Sequence, residues 1–266
     1  MLLNYHRLGK LKWALWAITI AVCVFLLMPI VFIAALSFGS SQWLVFPPPS
    51  WTLKWYGQLF ADPRWFETAF TSLVVGVLTM ICSVVLGLLA SFALVRGKFP
   101  GRELLRGLFL TPMVLPVIVF AVALYALFLR VGLNGTLVGF VIAHTILALP
   151  FAVISISNSL SAFDTSIENA AVLCGATPLE AKLKITLPAI RLGLLSGALF
   201  SFLISWDEVV VAIFMASPTL QTLPVRIWSA LRQDLSPVIA AASTLLIALT
   251  LTLMILASLI KRALTR

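Results

Sequence analysis

The chain has 266 residues, 62% of them hydrophobic and only 10% charged, with a formal charge of +9. Soluble domains carry about 25% charged and about 45–50% apolar residues, and a soluble core of this size cannot hide so much apolar surface from water. The composition excludes a cytosolic enzyme, a disordered chain and a disulfide scaffold, and it places the protein in a bilayer.

A spanning helix needs about 20 apolar residues, because the hydrocarbon core is about 30 Å thick and each residue rises about 1.5 Å. The first run that meets this length is Trp13 to about Phe38. It exceeds the roughly 7–15 residues of a signal-peptide core, so it is expected to stay as a span although Ala34-Ala35-Leu36-Ser37 resembles a cleavage site. A loop at roughly 39–67 follows. Pro47-Pro48-Pro49 stiffens it, and Trp51, Trp55 and Tyr56 suit the headgroup interface. The second run is Thr68 to Val95, and the third is Gly107 to Leu129, with Pro112 and Pro116 placed to kink it. The fourth runs from about Thr136 to Ser157 and contains His144 and Pro150. The fifth, Leu192 to Val225, is broken only by Asp207 and Glu208, and the sixth is Leu235 to Ile260. Barrel strands would instead alternate over about 10 residues. The expected class is an all-α membrane protein with six transmembrane helices. Residues 1–66 form its first helix and outer loop, and 67–262 form a transmembrane core.

The 18 Lys and Arg fall in short clusters between uncharged runs, with no continuous basic face. That pattern suits orientation in a membrane rather than binding to nucleic acid. With the N-terminus inside, thirteen of the 18 lie on the inner side and five on the outer. Both termini are therefore expected in the cytoplasm. Cys23, Cys82 and Cys174 have no metal or disulfide spacing and read as packing residues. The pairs Gly135/Gly139 and Gly193/Gly197 read as close helix crossings.

The largest inner loop runs from about 158 to 191 and has helical composition. Asp164 can cap a helix whose face includes Ile167, Ala171 and Cys174, and Gly175 can end it. Thr177-Pro178 starts a second helix with Glu180 in its first turn, and Pro188 marks the bend into the fifth run. The result is a helix–glycine–helix knob on the inner membrane face. Taken alone it reads either as a docking site for a cytoplasmic partner or as a plain amphipathic surface element.

The stretch Asn169-Ala170-Ala171, three residues, Gly175, nine residues, Ile185, one residue, Leu187-Pro188 resembles the E-A-A signature of ABC importer permeases. Every spacing matches, as does the position between the fourth and fifth of six spans. Asn169 stands where the family has glutamate, and Glu168 precedes it. The resemblance implies a type I importer fold in which this loop is a coupling helix docked into an ATPase subunit. Glu168, Asn169, Ala170, Ala171, Gly175, Ile185, Leu187 and Pro188 would carry that contact. A second set, Ser205-Trp206-Asp207-Glu208-Val209-Val210, Thr222-Leu223-Pro224-Val225, Trp228 and Ser236-Pro237-Val238-Ile239-Ala240-Ala241, resembles the spermidine/putrescine branch. Relatives of that branch also carry opines, aminobutyrate or phosphonates. The resemblance implies a second, homologous permease, ATPase subunits that hold ATP and magnesium, and an extracytoplasmic solute-binding protein, in a bacterial inner membrane.

No G-x-x-x-x-G-K-[ST] phosphate loop occurs, so the chain is not expected to be an enzyme or to bind a cofactor or metal itself. Trp206, Asp207 and Glu208 are the candidates for the solute path or its gate. Asp207 and Glu208 lie roughly 22–24 Å into the fifth run if it is one helix. A central acid costs about 2.5–3.5 kcal/mol on insertion scales and so faces a cavity or a partner. One acid lining a cation path and a pair that shapes a gate are both open readings. His144 reads as a neutral bridge to a neighbouring helix, against a proton relay with the two acids. Such a relay would belong to a gradient-driven transporter, although no inverted repeat relates the two halves.

Overall fold

The computed structural model describes residues 11–233 and 236–265, and every helix and strand assignment among them is helical. Arg7, Lys10, Leu235 and Arg266, which enter the charge count and the sixth run, lie outside the described residues. In chain order the elements are α1 (Leu11–Ser37), α2 (Lys54–Ala61), α3 (Pro63–Arg96), α4 (Arg102–Val114), α5 (Val117–Val131), α6 (Leu137–Ala162) and α7 (Thr165–Leu173). Then come α8 (Pro178–Ala181), a π-turn over Lys182–Thr186, α9 (Leu187–Ala189), α10 (Arg191–Trp206), α11 (Val210–Met215), α12 (Leu223–Gln233) and α13 (Pro237–Thr265).

The chain forms two packing units. One comprises the chain up to Asp62 with Ala230–Leu249, and the other Pro63–Ser229 with the chain from Thr250 onward. In the first, α1 is apolar on every side and its most apolar stretch is not covered by protein, which is the pattern of a lipid-facing span. The loop after it is folded back rather than loose. Ser40 N–H donates to Ser50 O at 3.0 Å and Thr52 N–H to Phe38 O at 2.7 Å. The indole N–H of Trp55 donates to Gly39 O, and the hydroxyls of Ser37 and Tyr56 pair at 2.8 Å. The expected outer loop thus contains a helix, α2, held by Trp55 and Leu59, which are buried.

In the second unit α3, α6 and α10 pack against one another. α3 and α10 present stripes of small residues, Ser72, Gly76, Thr79, Ser83, Gly87 and Ala90 on the one and Gly193, Gly197, Ser201 and Ser205 on the other, and α6 presents a mixed one of His144, Ala148, Ala152, Ile156 and Leu160. Lipid is as apolar as leucine, so helices in a membrane associate through close van der Waals contact and shared hydrogen bonds, and small residues let the backbones approach. The approach here is tight. A Cβ on Gly87 would lie 2.9 Å from Ala152 Cβ, and one on Gly76 2.9 Å from the Phe202 ring. The hydroxyl of Ser157 donates to that of Ser91 at 3.0 Å, and Ser91 donates to Val153 O at 3.3 Å. A larger apolar cluster joins Phe128, Phe140, Val211 and Met215 from α5, α6 and α11.

Among the described residues four helices are long and apolar enough to cross a membrane, rising to six if each of two bent pairs is one span. The third run is one such pair: α4 and α5 meet at 104°. Leu115 is extended at φ −70° and ψ 139°, because the residue before a proline is driven out of the helical region. The fifth run is not one helix either. α10 stops at Trp206, Asp207 is its C-cap, and α11 begins only at Val210. The pair Gly193/Gly197 does mark a close crossing, since a Cβ on Gly193 would collide with Ser159. Gly135/Gly139 does not. Gly135 has φ +72° in the turn before α6, and a Cβ on Gly139 would meet its own neighbour Leu133. Two cysteines also depart from the packing reading: Cys23 and Cys174 are exposed, and only Cys82 is partly covered.

Replacing Gly87 with valine should destabilise the bundle by about 1–3 kcal/mol, the usual cost of overpacking. Gly57→Ala, where nothing lies within 4 Å, should leave stability unchanged or slightly raised. Thermal unfolding in detergent measures both.

Candidate functional site

The knob expected on the inner face is built from local signals that act in sequence. Asp164 ends the turn after α6 and caps α7: its carboxylate accepts from Ser166 N–H at 2.9 Å and from the Ser166 hydroxyl at 2.7 Å. The N–H of Ser166 is the main reason the Asp164 carboxyl sits below its ordinary value of 3.8, followed by the hydroxyl and the distant attraction of Arg96. At the other end, Gly175 N–H bonds Val172 O at 3.0 Å and Ala176 N–H bonds Ala171 O at 3.1 Å. These are the two bonds of a Schellman stop, which requires the left-handed conformation that Gly175 adopts at φ +98°.

Thr177 then opens α8 with a reciprocal capping box. Its hydroxyl accepts from Glu180 N–H at 3.2 Å, and the Glu180 carboxylate accepts from Thr177 N–H at 3.0 Å. The Thr177 N–H, then the Thr177 hydroxyl donating to the same carboxylate at 2.9 Å, then the Lys184 ammonium at 3.2 Å hold Glu180 below its ordinary value of 4.5. Pro178 occupies the permissive first position. Beyond Ala181 the helix widens into the π-turn, where Leu187 N–H bonds Lys182 O. Pro188 has no N–H to give the carbonyl four residues back, and the wide turn precedes it. The chain bends by 69° into α10 after Ala189.

The residues of the signature take different places on this knob. Glu168 is turned inward and accepts a hydrogen bond from the Thr186 hydroxyl, which braces α7 against the π-turn. Asn169 and Ala170 are exposed, and Ala171 is half-buried. Ile185 and Leu187 are half-buried, and Leu187 packs on the cluster of Ala152, Ile156, Leu160 and Ile190. Pro188 is exposed. Apolar side chains cover the outside of the knob: Leu173 is 89% exposed and Leu179 65%, beside Ile167, Val172 and Leu183.

One residue at the root of the knob has no counterpart in the signature. Arg96, in the last turn of α3, donates from one guanidinium nitrogen to Leu160 O at 3.4 Å and to Phe163 O at 3.2 Å. Its partners are 64 and 67 residues away in sequence. The only trace of it there is a basic residue ending a long apolar run.

The second candidate region lies around the break after α10. Trp206 is buried and stacks on Phe202, ring centroids 5.6 Å apart. Glu208 accepts from Val211 N–H at 2.7 Å and so caps the short α11. Asp207 is exposed. The two acids therefore differ in role by backbone geometry rather than by the 100° step of a continuous helix. His144 is fully buried, and its Nδ1 pairs with the Ser205 hydroxyl at 2.8 Å. It bridges α6 to α10 and does not pair with either acid. Ser205 belongs to the sequence set that resembles the spermidine/putrescine branch, but its bond to His144 is visible only in the fold. Among the described residues no group of three His, Cys, Asp or Glu side chains could hold a metal ion.

Known proteins share this architecture of a helical membrane chain with a capped knob between two closely packed helices. Residues 83–266 match the family of the binding-protein-dependent transport system inner membrane component. The chain is 32% identical over 247 residues to the spermidine/putrescine transport system permease protein PotC of Haemophilus influenzae, covering 92% of this chain and 95% of that one. It is 32% identical over 241 residues to the putrescine transport system permease protein PotI of Escherichia coli K12, covering 87% and 85%. The structure of a bacterial ABC transporter that imports the acidic polysaccharide alginate superposes with a TM-score of 0.72 at 16% identity, covering 96% of this chain and 97% of that one. The chain belongs to the family of binding-protein-dependent transport inner membrane components: it is a multi-pass ABC importer permease subunit.

The capping carboxylates set a pH dependence for the knob. Both are depressed, so the stability they add is complete above their unfolded-state values and is lost as pH falls through the folded-state ones. A spin label on Cys174, with Cys23 and Cys82 replaced by serine, should keep one line width from pH 8 to pH 5 and narrow only below about pH 4. Narrowing that begins near pH 6 would contradict this.

Proposed function

We propose that this chain is one of two non-identical permeases of a polyamine importer in a bacterial inner membrane, with six spans and both termini in the cytoplasm. Residues 1–66 supply the first span and outer loop, and 67–262 the transmembrane core. The observation that carries the coupling part is the knob itself. Its apolar outer face is exposed, and its fold is set by two helix caps, a Schellman stop and the Glu168–Thr186 brace. Exposed leucines in water are unfavourable, and a cleft in an ATPase subunit would cover them. Asn169, Ala170, Ala171 and Gly175 bring the backbone close to that partner, while Ile185, Leu187 and Pro188 join the contact to the membrane bundle. ATP and magnesium act on the ATPase; closure of the ATPase pair displaces the knobs, and a two-state bundle converts that displacement into opening of the path. An outer binding protein delivers the solute.

The polyamine reading rests on the identities to PotC and PotI and on Asp207, the exposed acid at the break after α10. A polyamine carries several ammonium groups, and an acid at the mouth of a low-dielectric path attracts them. Trp206 and Glu208 shape the break that presents it.

Two experiments test this reading. A gentle pull-down of the tagged chain from native membranes should recover a P-loop ATPase and a second permease; recovery of the chain alone from well-solubilised membranes would contradict the assembly. In cells lacking the native copy, Ala171→Arg and Gly175→Val should abolish solute uptake while membrane insertion remains normal. Asp207→Asn should lower spermidine uptake severalfold with ATPase capture intact. Equal uptake by the Asp207 variant would remove the role given to that acid.

A further inference from the structure

The knob has two roots in the membrane bundle, and they are built differently. At the α10 root the chain passes through a π-turn, Pro188 and a 69° bend. Wide turns of this kind lack the regular i to i−4 ladder and commonly mark functional sites. At the α6 root, by contrast, three helix ends converge on one cation. Arg96 closes α3; the carbonyls of Leu160 and Phe163 close α6; Asp164 caps α7. The guanidinium donates to both carbonyls and attracts the Asp164 carboxylate. Arg96 there offsets the partial negative charge of two helix C-termini and lies within electrostatic reach of the cap that starts the knob. Just inward, Ser91, Val153 and Ser157 link α3 and α6 by hydrogen bonds, and Gly87 lies against Ala152.

We propose that Arg96 is a positioning residue of the transport cycle: it locks the knob to α3 and α6 as one body and leaves the α10 root to bend. This rests on the coupling role given to the knob above. Force arriving at α7 then moves α3 and α6 together, and the π-turn absorbs the change of angle to α10. Without the guanidinium, the turn at 163–164 becomes a second hinge and the knob swings without moving the bundle.

The test uses the assembled transporter in liposomes with a spermidine-loaded binding protein, measuring ATPase content, ATP hydrolysis and solute imported per ATP. Arg96→Gln should keep the ATPase bound and hydrolysing, yet import about tenfold less solute per ATP, the scale of losing one charge-assisted hydrogen bond. Arg96→Lys, which keeps the charge but not the planar fork, should recover part of the loss. A wild-type ratio in Arg96→Gln overturns the proposal. If only the Lys variant inserts, a wild-type ratio in that variant overturns it. Loss of ATPase binding in Arg96→Gln also overturns it, because the residue would then serve docking rather than transmission. A wild-type transporter without an ATPase, or normal uptake by Gly175→Val, would instead remove the coupling reading itself.

Discussion

Close approach of helix backbones is the constraint on which the rest depends. In hydrocarbon, burying a leucine against protein gains little over leaving it in lipid, so a bundle must be held by contact at short range and by shared hydrogen bonds. The stripes on α3, α6 and α10 meet that requirement with glycine, alanine and serine at roughly four-residue spacing. Three hydrogen bonds between polar groups tie the helices together: Ser91 with Val153 and with Ser157, and His144 with Ser205. Larger side chains at Gly87 or Gly193 would force these helices apart. The knob and the break after α10 both hang on this block, so their geometry inherits its rigidity.

Rigidity at one end and compliance at the other give the fold a mechanical character. The knob is locally over-determined, with a capped start, a Schellman stop, a capping box and the Glu168–Thr186 brace within about two dozen residues. Its internal shape depends little on the bilayer. The bends fall at its edge and beyond it, after Ala189 just past the π-turn and Pro188, and at Leu115–Pro116. These are positions where proline removes a hydrogen bond that a straight helix would need. A displacement applied to the knob is thus passed on at defined points rather than dissipated along the chain.

Much of this was legible in the sequence, for reasons that differ by element. The long runs of α1, α3 and α6 follow from hydropathy and length alone, and their ends agree with the structure to within a few residues. The knob was legible because its determinants are local: Asp164, Gly175, Thr177 and Glu180 act on backbone groups one to four residues away. The breaks were legible only in part: Pro112 and Pro116 announce a bend in the third run, but hydropathy counts give neither its 104° angle nor the end of α10 at Trp206, since Asp207 sits in apolar surroundings that read as continuous helix. The Gly135/Gly139 spacing mimicked a crossing and turned out to serve a turn with positive φ. Arg96 and Ser205 act on partners more than 60 residues distant, and nothing in the neighbouring sequence announces such a contact. The departure at Asn169 was visible from spacing, but the inward turn of Glu168 toward Thr186 needed the fold.

The central claim is that the knob and α3 move as one body. Pulsed electron resonance between spin labels on Cys174 and on a cysteine at Leu86, an exposed α3 position, measures it directly in the assembled transporter with and without ATP. The account predicts a mean distance unchanged to within about 2 Å and a distribution no broader with ATP than without it. A shift of about 5 Å, the length of one helical turn, would contradict it.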